Sequence, residues 1–261
     1  MTNRIVKPSF RREGNLITLE DVRLIFKEER NPDLPIKLLQ ADYGRGFRMA
    51  TIPQLVSLVY SFSENREDSE ARDLAQKLRS CTFVGNTGIL FDYDGMFVKD
   101  KPEIENEKRF RFLPKLVMDA EKLKNMLGSR EERGVVFSDD GKIRFTPYGF
   151  KVGSQIPSVL AKNSGVIAIV GSEENAEMLA QASRYYKISP EFFSYNRLHI
   201  SPQIRIANIH SCNFGAHVTL DAMDNGIWGD SAKYSHSFGV RELKQGGKTK
   251  NARKNRTHKQ N

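Results

Sequence analysis

Apolar residues recur at helical spacing in several stretches of the chain, and the clearest stretch follows residue 51. Thr51 suits the N-cap position, Gln54 completes a capping box, and Pro53 is tolerated in the first turn. Apolar side chains then recur three and four positions apart, the period of one helix face. They are Leu55, Leu58, Val59 and Phe62. The pattern predicts a helix that begins here and buries one side.

The same spacing, less regular, predicts four more helices. One covers residues 18–26 and another covers residues 69–80. A third runs over residues 119–127 and ends at Gly128, which is a favourable C-cap residue. The last helix begins at Ser172 and has a face of small residues.

Extended structure is indicated in three places. Residues 88–98 and 134–144 share one pattern, in which Gly, three apolar residues, a polar pair and Asp-Gly precede a second extended run. Asp-Gly favours the positive φ angles of a tight turn, so each segment predicts a β-hairpin. The apolar run at residues 165–171 predicts a short buried strand.

The pattern changes after Ser194. Short extended pieces at residues 203–207, 216–221 and 238–243 alternate with connections rich in Asn, Gly, Ser, His and Asp. Such connections are typical of long surface loops, which often carry recognition residues. We therefore expect strands joined by exposed loops in this part.

Composition narrows the class of protein. The 261 residues are 39% hydrophobic, enough chain for a substantial core. No run approaches the roughly 18 apolar residues of a membrane-spanning helix, and the first residues lack a signal-peptide core. The two cysteines, Cys81 and Cys212, are too few for a disulfide framework or a Cys-rich zinc site. We expect a cytoplasmic globular protein with no membrane span.

The net charge of +9 is concentrated at the two ends. Residues 1–12 carry four Lys or Arg and no acid, and residues 244–261 carry seven and no acid. We therefore expect a basic N-terminal arm over 1–12, one folded domain over 13–243 and a disordered basic tail over 244–261. The tail suits weak contact with nucleic acid through its phosphates, although it has no aromatic residue to stack on bases.

One acidic pair raises an enzymatic alternative. Asp92-Tyr93-Asp94-Gly95 is similar to the first motif of haloacid-dehalogenase-type phosphatases, in which the first Asp is the nucleophile and the second a general acid. Gly171 and Asn175 stand where later metal-binding carboxylates would be needed. A hairpin turn accounts for the Asp-Gly pair without catalysis. The histidines follow no fixed metal-ligand spacing, and we expect no metal or cofactor.

Two further motifs carry a second resemblance. Residues 46–55, Gly-Phe-Arg-Met-Ala-Thr-Ile-Pro-Gln-Leu, resemble the segment that opens a helix in the C-type-lectin-like folds of the formylglycine-generating-enzyme group. Residues 237–241, Ser-Phe-Gly-Val-Arg, are similar to the final strand of that fold. The resemblance implies an α+β domain with an early capped helix, a mixed antiparallel sheet with β-hairpins, and a terminal strand that returns to the centre.

The branches of this group differ in chemistry. The oxidising enzymes use two neighbouring cysteines, whereas Cys212 stands alone in the late part of this chain. The ergothioneine-type branch needs a His-based iron site that the sequence does not offer. The remaining branch binds ligands without catalysis and includes variable proteins diversified by retroelements. The resemblance thus implies recognition of a protein or another macromolecule.

The segment over residues 193–238 suits such a surface, because Tyr and Trp supply rigid contacts while Asn and Ser supply adaptable hydrogen bonds. An ordinary loop-rich end of a domain is the alternative. Trp228 is a candidate hot spot, with a core position as its alternative. The candidate exposed binding residues are Tyr195, Asn196, His199, Asn208, His210, Asn213, His217, Asp221, Asn225, Trp228, Asp230, Tyr234 and His236.

Overall fold

A computed structural model describes residues 9–30, 39, 41–80, 82–106, 114–185, 191–192, 202–212, 217–223 and 235–243. The helices are α1 (Ile52–Glu64), α2 (Ser69–Ser80), α3 (Ala120–Asn125), α4 (Pro157–Leu160), α5 (Ser164–Val170) and α6 (Glu173–Tyr185). The strands are β1 (Phe10–Glu13), β2 (Leu16–Leu19), β3 (Leu24–Arg30), β4 (Arg48–Met49), β5 (Thr82–Phe91), β6 (Gly95–Asp100), β7 (Glu103–Asn106), β8 (Pro114–Val117), β9 (Arg130–Glu132), β10 (Val135–Phe137), β11 (Ile143–Pro147), β12 (Gly153–Ser154), β13 (Glu191–Phe192), β14 (Gln203–Cys212), β15 (His217–Met223) and β16 (Ser235–Glu242).

The architecture is mixed α/β, with one large and mostly antiparallel sheet. Its main strand order is β1-β2-β3-β16-β5-β14-β15-β13-β12. A branch leaves β5 through β6 and continues through β11, β10 and β9, while β7 and β8 form a separate hairpin. The parallel pairs among the described strands are β16 with β5 and β13 with β15. Residues 10–12, placed in the N-terminal arm by charge, form part of β1, which pairs with β2.

The sheet forks along β5. The first two residues of β5 pair with β16, whereas the residues from Thr87 onward pair with β6. On the other side, three residues of β5, 85–87, stand opposite the single residue Ala207 of β14. This irregularity lets β5 meet the start of α1: Asn86 N donates to Ala50 O at 2.8 Å, and Ile52 N donates to Thr87 Oγ1 at 3.0 Å. A Cβ on Gly85 would lie 2.6 Å from Ile52 Cδ1, so the close approach requires glycine.

Helix α1 forms as the sequence predicts and lies at the centre of the core. Gln54 Oε1 accepts a hydrogen bond from Thr51 N at 3.0 Å, as expected of a capping-box partner. Six of its apolar residues are 0% exposed: Ile52, Leu55, Val56, Leu58, Val59 and Phe62. The helix predicted for residues 69–80 is confirmed as α2.

Two predictions of element type are wrong. Residues 165–171 belong to helix α5, which Asn163 caps by accepting from Gly165 N and Val166 N, and which Gly171 ends at φ +90°. Every residue from Val166 to Val170 is buried, and a short segment covered on all sides shows no period that separates helix from strand. Residues 18–26 form a β2–β3 hairpin rather than a helix, with Leu19 paired to Leu24.

Both predicted hairpins form, as β5–β6 and β10–β11, and they join through pairing of β6 with β11. Their glycines differ in role. Gly141 supplies the expected turn angle at φ +70°. Gly95 has no such angle; a Cβ there would lie 2.3 Å from Thr146 O, so glycine is needed for close strand pairing. Helix α3 has Asp119 as its N-cap and Met126, rather than Gly128, as its C-cap.

Candidate functional site

The two motifs that resemble the lectin-like group are hydrogen-bonded to each other. In β16, Gly239 pairs with Met49 and Val240 pairs with Arg48 of β4. Just before α1, Ala50 N donates to Phe238 O at 2.7 Å. Residues far apart in sequence thus form one unit at the start of α1.

Side-chain contacts reinforce this junction. The Arg241 guanidinium lies over the Phe47 ring, with 4.7 Å from its carbon to the ring centroid, a cation–π contact. Tyr43 packs against the Gly239 backbone, where an added Cβ would lie 2.8 Å from Tyr43 Cβ. The Tyr43 hydroxyl donates to Ser237 Oγ at 2.9 Å. Each motif therefore has a physical role in holding the other.

Strand β16 occupies a central position in the sheet. It pairs along its length with β3 on one side, and its first residues pair with β5 on the other. Phe238 is 1% exposed and makes edge-to-face contacts with Phe26 and Phe83, at centroid distances of 6.4 and 5.1 Å. The predicted return of a terminal strand to the centre is confirmed.

The late strands converge at one end of the sheet. Pairing of Thr82 with both His210 and Ser235 places the starts of β5 and β16 beside the end of β14. The start of β15 lies at the same end, because His217 pairs with Cys212. The three extended pieces predicted after Ser194 are therefore strands of one sheet: β14 and β15 are neighbours, and β5 lies between β14 and β16.

Five candidate binding residues lie in these strands rather than in loops. Asn208 and His210 belong to β14, His217 and Asp221 to β15, and His236 to β16. Asn208 pairs in register with Asp221. The other candidates lie outside the described residues: Tyr195, Asn196, His199, Asn213, Asn225, Trp228, Asp230 and Tyr234.

Asn208 differs most from expectation. It is 0% exposed, so the prediction of an exposed side chain is wrong at this position. Within the described part of the chain, neither amide atom of Asn208 has a hydrogen-bond partner. Asn208 directly follows Ala207, which stands opposite the irregular residues 85–87 of β5. No local pattern in the sequence predicts this irregularity in strand pairing.

His236 takes part in a buried ionic cluster that sequence inspection missed. Its Nδ1 lies 3.8 Å from Oε1 of Glu28, whose side chain is 7% exposed. The same carboxylate receives Lys77 Nζ at 2.6 Å and Arg12 Nη2 at 3.3 Å. The cluster ties β1, β3, α2 and β16 together. No alternation of polar and apolar residues in β3, Leu-Ile-Phe-Lys-Glu-Glu-Arg, signals this cluster, and the helix predicted over residues 18–26 overlaps the start of this strand.

Asp92 and Asp94, the acids of the phosphatase alternative, lie in the β5–β6 turn. Asp92 N donates to Gly95 O at 2.9 Å, and the Tyr148 hydroxyl donates to Asp92 O at 2.6 Å. The backbone of Asp92 thus helps to close the turn. Among the residues that the structure describes, no three His, Cys, Asp or Glu side chains come together as a metal site.

Comparisons with known proteins are sparse. No protein-family model matches the chain, and no curated protein matches it. One similar solved structure is described as the accommodation of massive sequence variation in Nanoarchaeota by the C-type lectin fold. It is 14% identical, the match covers 83% of this chain and 97% of that chain, and the TM-score is 0.49. A match at this level does not assign the fold. No helix in the described part of the chain is both long and apolar enough to cross a membrane.

Proposed function

We infer that this chain is a non-catalytic ligand-binding protein with a C-type-lectin-like fold. The observation that carries the proposal is the junction of the two resembling motifs, where Ala50 N donates to Phe238 O at 2.7 Å. The resemblance rests on these two motifs, and their direct pairing supports treating them as the opening and closing parts of one domain.

In this proposal, the recognition surface is formed by the connections between the late strands. Strands β14 and β16 are secured by pairing with β5, and β16 is also paired with β3. A rigid sheet allows the connecting segments to change sequence without loss of the fold, since loops contribute little to a core. The binding positions are then those between the strands, such as Asn213, Asn225, Trp228 and Tyr234, and the buried Asn208 is not among them. Diversification by a retroelement would exploit the same division.

A display library tests this division of roles. Residues Asn213, Asn225, Trp228, Asp230 and Tyr234 are randomised together, and folding of each variant is measured by protease resistance on the cell surface. Most variants should remain folded, because the proposal assigns these positions to the surface. A matched library at Phe26, Tyr43, Phe83, Phe238 and Gly239, which pack at the junction and in the core, should be mostly unfolded.

The folded variants are then selected for binding to an unrelated protein. Recovery of binders with new sequences at these positions supports the proposal. Equal loss of folding in the two libraries would contradict it, because the late connections would then be core. The retroelement origin has a separate test: closely related genes should differ mainly within residues 193–238. Uniform sequences in that segment would contradict a retroelement origin.

A further inference from the structure

A cavity of about 550 Å³ lies at the end of the β10–β11 hairpin. Its walls come from residues 146–151 and from α4 with the start of α5. This volume is within the range of roughly 300–1,000 Å³ that is typical of small-molecule sites.

The charged side chains described in the cavity lining are all basic. Arg133, Lys151 and Lys162 line the cavity, and none of the other described residues of the lining is an Asp or Glu. Arg133 is paired with Glu173, which lies outside the lining. Lys151 and Lys162 are exposed and form no salt bridge with any residue that the structure describes. Two uncompensated ammonium groups at one cavity favour a ligand that carries an anionic group.

The same cavity has an aromatic wall. The rings of Tyr148 and Phe150 are half-buried, with centroids 6.0 Å apart and planes inclined at 46°. Tyr148 is held in place by the hydrogen bond from its hydroxyl to Asp92 O at 2.6 Å. Fixed aromatic faces offer stacking surfaces to a planar ring at little entropic cost.

Two buried amides keep the loop that carries Lys151 in position. Asn163, 7% exposed, donates from Nδ2 to Lys151 O at 2.6 Å and to Gln155 Oε1 at 2.9 Å. Gln155, 4% exposed, donates from Nε2 to Lys151 O at 3.1 Å and to Gly153 O at 3.3 Å. The backbone at Lys151 is thereby fixed before any ligand arrives.

We propose that this cavity binds a small organic phosphate that carries an aromatic ring, of the size of a nucleoside monophosphate. The phosphate lies by Lys151 and Lys162, and the ring stacks on Tyr148 and Phe150. None of the lining residues named here belongs to the proposed recognition surface, so either proposal can fail without the other.

Isothermal titration calorimetry on the full chain tests both halves of the ligand. The probes are AMP, GMP, CMP and UMP, with ribose 5-phosphate as the phosphate without a base and adenosine as the base without a phosphate. At least one monophosphate should bind with a Kd of millimolar or below and about tenfold or more tightly than either half. No saturable binding by any monophosphate overturns the proposal, and so does equal binding by adenosine.

Variants then locate the site. The double variant Lys151→Glu/Lys162→Glu should weaken monophosphate binding at least about tenfold and leave adenosine unchanged. Lys122→Glu/Lys124→Glu, at two exposed positions on α3 outside the lining, is the matched charge control and should have little effect. Phe150→Leu keeps the packing apolar and should weaken adenosine and the monophosphates together, but not ribose 5-phosphate. Unchanged binding in the double variant would place the ligand elsewhere.

Discussion

At the scale of single residues, the least expected feature is a buried charge. Arg144 is 1% exposed, and its Nη1 donates to Asp100 Oδ2 at 2.8 Å. Asp100 Oδ1 accepts from Thr87 Oγ1 at 2.7 Å, and Thr87 Oγ1 accepts from Ile52 N. The chain of bonds joins β11, β6, β5 and the first turn of α1. No local pattern in the sequence predicts this chain of hydrogen bonds, because each partner comes from a different element.

Removing one partner of this pair should be costly. Asp100→Asn leaves the Arg144 cation buried without its counter-charge, and we expect the free energy of unfolding to fall by about 3–5 kcal/mol. Urea denaturation measures the loss. The double variant Asp100→Leu/Arg144→Met, which removes both charges, should be less destabilised than Asp100→Asn alone. A double variant at least as unstable as the single one would contradict the argument.

At the scale of elements, local signals were reliable where caps and turns fix the backbone. Thr51-x-x-Gln54 marked α1, and the two Asp-Gly patterns marked the hairpins. They failed at α5, where burial on every side hides the period, and at β2–β3, where a turn interrupts the alternation. The site was predictable in part: its motifs and late strands could be read, but the burial of Asn208 depends on an irregularity in a distant strand.

The β10–β11 turn gives a pH-dependent prediction. Hydrogen bonds from the Lys142 side chain and backbone N–H, with another from Ser138, lower the pKa of Asp140 to about 2. Because the pKa is lowered on folding, the stabilisation is present above the ordinary value of 3.8 and is lost as the pH falls toward 2. Solvent screens this exposed group, so we expect less than about 1 kcal/mol.

The measurement compares Asp140→Asn with the parent chain by chemical denaturation at several pH values. The variant should be slightly less stable at pH 7, and the difference should vanish near pH 2. Asp139→Asn, next to it in the same turn, removes an equal charge from a side chain that makes no hydrogen bond to any described residue, and is the control for loss of charge alone. A difference between Asp140→Asn and the parent that is constant with pH would count against this account.

At the scale of the whole molecule, β16 binds the parts of the sheet together. It lies between β3 and β5 and also pairs with β4 at the start of α1. The sequence predicted this place for the strand from the resemblance alone, since no local pattern shows which strands become neighbours. The fold class could therefore be predicted from the sequence, whereas the order of the strands in the sheet could not.

Truncation tests the role of this strand. A variant that ends at residue 234 lacks β16, exposes Phe26 and Phe83, and should fail to unfold cooperatively when heated. A variant that ends at residue 243 keeps every described residue and should retain the Tm of the full chain. Circular dichroism during thermal denaturation distinguishes them. Cooperative unfolding of the shorter variant would show that β16 is dispensable.

The central place of β16 has a consequence for how the protein is made. Every other described strand leaves the ribosome before it, so β3 and β5 wait with unpaired edges until the last strand inserts between them. Insertion must bring β16 back across the residues 224–234 that separate it from β15 in sequence, and the entropy cost of loop closure in general rises by only about 0.6 kcal/mol for each doubling of length. That connection can thus lengthen at small thermodynamic cost, and its length becomes a control on how quickly the nascent chain passes through an aggregation-prone stage.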